Sequence, residues 1–203
     1  MTNSSAPIVL HTLRCIGFAE LSRVADAAGI SEADAESHLI DLAVAGWATR
    51  STGEFGAWGL TEAGRAEDAR WTAEELTTAG TRGAVSAAYE KFMVLNPELL
   101  DLCSAWHLRP LDGATVPNDH SDSAYDARVL DRFVDLDGRA DLVCADLAAA
   151  LPRFARYRAR LTTALDRARS GALEHLTDHM DSYHTIWFQL HEDLLATLGL
   201  PRR

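Results

Sequence analysis

The 203-residue chain holds only three cysteines, Cys15, Cys103 and Cys144, an odd number at wide spacing. That pattern excludes a disulfide framework and a clustered thiolate zinc site, and it points to free thiols in a reducing cytoplasm. Long apolar runs are missing too. No stretch approaches the roughly 20 residues that a membrane span needs, and the opening MTNSSAPIVLHTLRC lacks the basic start of an export signal. A cytoplasmic location without a membrane partner is the expectation. The chain also has no phosphate-binding glycine loop, no GxGxxG, no GxSxG and no paired cysteine–histidine nucleophile pattern. Catalysis, a cofactor and a bound metal are therefore not expected.

Positive charge is the other shortage. The net charge is -11. Residues 1–80 carry five arginines (Arg14, Arg23, Arg50, Arg65 and Arg70) against twelve acids, and the remainder is nearer balance, with 14 basic and 18 acidic residues. A protein holds nucleic acid mainly by neutralising phosphates, so an acidic first half argues against a broad nucleic-acid surface there.

What is present is helical periodicity. A first helix is expected over 7–19 and a second over 20–28, the latter stopped by Gly29, a residue that tolerates positive φ. Ser31 with Asp34 three residues on approximates a capping box for a third helix over 31–45, in which Ala35, Leu39, Leu42 and Ala43 form the inward stripe. Gly46-Trp47-Ala48-Thr49 opens a short strand, 51–56 a glycine-containing turn, and 57–60 the returning strand. Thr61 caps a further helix to about Thr78, with Glu62 at the positive end of its dipole.

From Ala84 onward the pattern is all helical. An amphipathic helix over 84–107 is expected to break near Asn96-Pro97. Residues 109–121, with Pro110, Gly113 and Pro117, read as the one long loop. A long helix over 123–151 follows, interrupted by Pro152. Another covers 154–168, and after Gly171 a last one covers 172–198. The fold class expected is mainly α, with an N-terminal winged helix-turn-helix and its small β-wing over 1–80, then a helical bundle over 81–203.

The stretch 8–75 resembles the winged-helix domain of MarR-type bacterial regulators. The resemblance is carried by the two-helix turn at Gly29, by Gly46-Trp47, and by Leu60-Thr61-Glu62-Ala63-Gly64-Arg65. It implies DNA as partner, with Ser31, Glu32, Ala35, His38 and Arg50 at the positions that contact it and Arg65 placed to reach a phosphate or an internal carboxylate. It also implies a homodimer whose helical half dimerises or senses a small-molecule effector. Family members carry Ser, Thr, Arg or Lys at the contact positions, whereas the corresponding helix here carries Glu32, Asp34, Glu36 and Asp41 and no Lys or Arg. A second reading therefore stands beside the first: a winged helix that no longer binds DNA and serves as a protein-interaction or regulatory module. In the C-terminal half, the 118–122 and 182–195 segments resemble an actinobacterial helical module found near phosphoenolpyruvate-utilising dikinase-like proteins.

Three groups in that half could carry chemistry. Arg153, Arg156, Arg160 and Arg167 share one helical face and could grip an anion, or simply pair with nearby acids such as Asp146 and Asp166. His184, Trp187, Phe188 and His191 fall on one face of the last helix, the polar and aromatic wall of a ligand pocket or else a packing surface. His175 and His179 are four apart, as two ligands of one ion would be, but His184 falls on the opposite side of the helix and no further ligand completes a set.

Overall fold

In a computed structural model of the protein, residues 6–51, 56–111 and 113–201 are described. The described residues are mainly helical, with 74% helix and 8% strand, and the chain divides into two units, Met1–Arg82 with Gln189–Arg203, and Gly83–Phe188. Residues 189–201 therefore belong with the N-terminal unit, beyond the single boundary near residue 80 that the sequence suggests.

In the first unit, helices α1 (Ala6–Ile16), α2 (Leu21–Ala28) and α3 (Glu32–Val44) precede strands β1 (Ala48–Arg50) and β2 (Trp58–Leu60), then helix α4 (Glu62–Ala79). The strands pair antiparallel, Ala48 opposite Leu60 and Arg50 opposite Trp58. Ala19 adds an isolated antiparallel bridge to Trp58. Residues 52–55, the tip of the expected turn, lie outside the described residues. Helix α1 stops at Ile16, short of the expected Ala19, because Gly17 turns left-handed and frees Ala19 for that bridge.

Local chemistry accounts for the element ends. Gly29 adopts φ 72° and returns its N–H to Ala25 and Asp26. Ser31 caps α3 by accepting the Asp34 N–H at 3.1 Å, an arrangement worth about 1 kcal/mol. Thr61 does more than cap. Its hydroxyl accepts the Gly64 N–H at 2.9 Å and donates to the Gly46 carbonyl at 2.7 Å, while its own N–H reaches the Trp47 carbonyl. A side chain at Gly64 would place Cβ 1.9 Å from that same Trp47 oxygen. The Leu60–Arg65 phrase is thus a clamp between the strands and α4. Val9, Leu10, Leu13, Val24, Leu39, Leu42, Trp58 and Leu60 make the core beneath it.

The second unit contains helix α5 (Arg82–His107, whose first residue lies in the first unit), a hairpin of β3 (Leu108–Leu111) and β4 (Ala114–Pro117), helix α6 (Ser123–Ala150), a 3₁₀ turn at Pro152–Phe154, helix α7 (Ala155–Arg169) and the start of helix α8 (Tyr183–Leu198). Three expectations are corrected here. α5 runs unbroken through Pro97; a proline costs a helix one bond and a clash, and burial of Leu95, Leu99 and Leu102 on one face carries α5 across it. The 109–121 loop is largely a hairpin, with Leu108 opposite Pro117 and Gly113 at φ 81° in the connection. The last helix begins at Tyr183, not Ala172. Ser182 supplies its cap, accepting the Thr185 N–H at 3.2 Å, and the preceding residues form turns around Leu173–His175.

Candidate functional site

The helix that the resemblance would set in DNA is α3. Ala35 is fully buried and His38 nearly so. Both face the interior of the unit, which removes them from the surface where base contact had been expected. Ser31 is exposed, but its hydroxyl is spent on Asp34, donating to the carboxylate at 2.6 Å as well as accepting the backbone N–H. The exposed face of α3 carries Glu36, Ser37, Ile40, Asp41 and Val44, with Glu32 at its start. Ile40 is 51% and Val44 85% exposed. One helical turn apart, they form an apolar pair framed by carboxylates, and no cation shares their helix.

Cations elsewhere in the unit are mostly engaged. Arg50 donates from Nε to the Gly56 carbonyl at 3.1 Å and lies over the Trp58 ring at 5.5 Å. Arg70 clamps Glu67 and Glu74, and hydrogen bonding to Glu67 holds that carboxyl below its ordinary range. Arg14 faces Glu192 at 3.9 Å, and Arg82 donates to the Leu198 carbonyl. Arg65 is exposed, with no ion pair among the described residues.

A second feature of this unit lies in its interior and joins three helices. His11 on α1 is completely buried between two buried carboxylates: Nδ1 lies 2.9 Å from Asp68 Oδ1 on α4, and Nε2 lies 2.9 Å from Asp193 Oδ1 on α8. Thr197, one turn beyond Asp193, donates to the same Oδ1 at 3.0 Å. Cys15, one turn beyond His11, brings Sγ to 3.6 Å from Nε2. The ligand atoms of His11, Cys15 and Asp193 lie within 4.8 Å of one another, the one such trio among the described residues. Thiol, imidazole and carboxylate also stand in the order of a nucleophilic triad. A nucleophilic thiol needs access to substrate, and here Cys15 is 4% exposed and the His11 nitrogen facing it is shared with Asp193.

In the second unit, the arginine row is absorbed into packing. Arg153 and Arg156 lie over the rings of Phe154 and Tyr157, at 4.6 and 5.1 Å. Arg160 faces Asp181 at 3.9 Å, while Arg167 is exposed. Arg158, absent from the expected anion site, grips Asp137 through both oxygens at 2.8 and 2.7 Å. Tyr183 donates to the same Asp137 at 2.9 Å, and burial raises its phenol well above the ordinary value. Trp187 is a core residue: its ring stacks on Phe92 at 4.5 Å and its N–H is taken by Asn96. His184 is half-buried, and burial together with nearby His107 lowers its pKa. His191, assigned beside it to one pocket, belongs to the first unit. The His175 and His179 rings sit 4.4 Å apart without joining a third ligand among the described residues. The Asn-Asp-His-Ser-Asp phrase closes on itself: Asn118 donates to the Trp106 carbonyl and to Asp126, and His120, at φ 57°, reaches Asp126 and packs on Trp106.

No family model, no curated protein and no solved structure matches the chain. Among the described residues no helix is long and apolar enough to cross a membrane.

Proposed function

We propose that this protein is a non-enzymatic regulatory module in which a winged helix has exchanged base reading for protein docking. The observation that carries the reading is the exposed face of α3: Ile40 and Val44 in the centre, Glu32, Glu36 and Asp41 around them, and no cation. Apolar centres with polar rims are the anatomy of protein interfaces, and a carboxylate rim selects a partner whose apolar groove is edged by Lys or Arg. The same face would meet a phosphate backbone with three carboxylates, and each would cost affinity.

A DNA-binding regulator is the second reading. It is favoured by the order of three helices, hairpin and helix with the Ala19–Trp58 bridge, and by Arg65, which has no ion pair among the described residues. Titrating labelled duplexes, among them the DNA upstream of the protein's own coding sequence and a scrambled control, against the full chain over a salt series separates the two. Docking predicts no discrimination and no salt-dependent affinity. Tight binding to one duplex, weakened by Arg50→Ala and Arg65→Ala together with a shallower salt slope, would install the DNA reading instead.

A further inference from the structure

His11 poses a chemical question that its own hydrogen bonds do not close. Asp68 Oδ1 lies 2.9 Å from Nδ1 and Asp193 Oδ1 lies 2.9 Å from Nε2, so with the ring proton on Nδ1 the Nε2 lone pair faces a carboxylate oxygen. Two lone pairs at that distance need a positive charge between them, either a second proton on the imidazole or a cation. Cys15 supplies what a cation would need: one helical turn from His11, its Sγ stands 3.6 Å from Nε2 as a third donor atom. Tetrahedral zinc, with metal–nitrogen bonds of about 2.05 Å and metal–sulfur bonds of about 2.3 Å, sets a nitrogen-to-sulfur edge of about 3.6 Å.

We propose that His11 Nε2, Cys15 Sγ and the Asp193 carboxylate form a site for a zinc-type divalent cation inside the N-terminal unit. The donor set of one thiolate, one imidazole and one carboxylate suits a borderline-soft ion rather than magnesium or calcium, which take oxygen. His11 and Cys15 come from one face of α1 at a spacing of four, and Asp193 comes from α8. The surrounding bonds are those expected around a ligated histidine: Asp68 on the far nitrogen orients the ring, as carboxylates do in carboxylate–histidine–metal arrangements, and Thr197 steadies Asp193. Binding moves Asp193 from Nε2 by a few tenths of an ångström and removes the Cys15 thiol proton. The fourth position falls to a water or to the second Asp193 oxygen. With its donors buried the ion is a clamp: it holds α8 against α1, and it stabilises the unit by binding the folded state alone.

The test uses the full untagged chain, stripped with a chelator and dialysed. Zinc is titrated in competition with a chromophoric chelator, and cobalt(II) in parallel to read thiolate-to-metal charge transfer. The expected result is one ion per chain, a charge-transfer band, and a higher unfolding temperature with zinc than with chelator. Cys15→Ser, which leaves the His11–carboxylate bonds in place, is expected to lose the band and to weaken zinc at least about tenfold with unchanged circular dichroism. His179→Ala is expected to change nothing. A wild-type chain that takes up no zinc and unfolds alike with and without chelator overturns the proposal. So does a Cys15→Ser chain that keeps stoichiometry and band.

Discussion

The two units use charge in opposite ways. The second unit spends it on itself: Arg139 clasps Glu98, Lys91 meets Asp146, Arg158 joins Asp137 and Asp141, and the arginines of α7 lie on aromatic rings. The first unit buries one histidine between two carboxylates and leaves the acids of α3 on an open face around two exposed apolar side chains. In the second unit charge mainly holds helices together. In the first, a buried histidine–carboxylate cluster joins three helices, Arg70 pairs with Glu67 and Glu74 at the surface, and the acids of α3 have no ion pair among the described residues. A charge row is thus informative only once its neighbours are known. The arginine series looked like an anion site in one dimension, whereas the acidic series is the one left without cations.

The sharpest break in that contrast comes from His11→Ala. Removing the imidazole leaves Asp68 and Asp193 buried and facing a void, and loss of one partner from a buried pair costs about 3–5 kcal/mol. Urea unfolding should show it as a large drop in midpoint, and a drop no greater than that of a surface variant would show that the buried network contributes little. Gly64→Ala comes next. Its Cβ meets the Trp47 carbonyl at 1.9 Å, a backbone atom that cannot yield cheaply, so a loss of about 1–3 kcal/mol is expected. Wild-type stability for this variant would mean that α4 shifts freely against the strands. Tyr183→Phe removes one donor from Asp137 while Arg158 stays in place, and about 1.5 kcal/mol should go with it. Arg139→Ala, at the solvent-facing pair with Glu98, should leave the thermal midpoint where it is. If its effect rivals that of Tyr183→Phe, the surface pairs of the second unit hold more of its stability than their exposure implies. The smallest stability effect is expected from Glu36→Lys with Asp41→Lys on α3, since neither carboxylate has an ion pair among the described residues. The same pair should change what the chain binds.

Much of the architecture is legible along the chain because its signals are local. Gly29, Ser31, Thr61 and Gly80 act as stops and caps where propensity places them. The 108–117 hairpin was legible in principle, since Asp112-Gly113 between two short apolar runs is a strong hairpin signal. Pro110 and Pro117 mask that signal, because proline cannot donate to a strand ladder and reads as loop. The start of α8 was hidden because 172–182 is rich enough in helix formers to continue the pattern, and only the Ser182 cap and its turn bonds set the boundary. The site divides in the same way. That α3 is acidic is plain from the sequence, but that Ala35 and His38 turn inward while Ile40 and Val44 turn outward depends on packing. The His11–Asp68–Asp193 cluster left almost no local trace. Its members come from three helices, and the one hint is the spacing of His11 and Cys15 on α1.

The most direct measurement is photo-crosslinking from α3 in the cells that make this protein, with a photoreactive residue in place of Val44, the most exposed apolar side chain of the face, and a control at Leu142 on α6. Docking predicts a discrete protein adduct from position 44, absent from position 142 and lost when Glu36→Lys and Asp41→Lys are added. An adduct to DNA from position 44, or a protein adduct that survives both charge reversals, would contradict an acidic docking face.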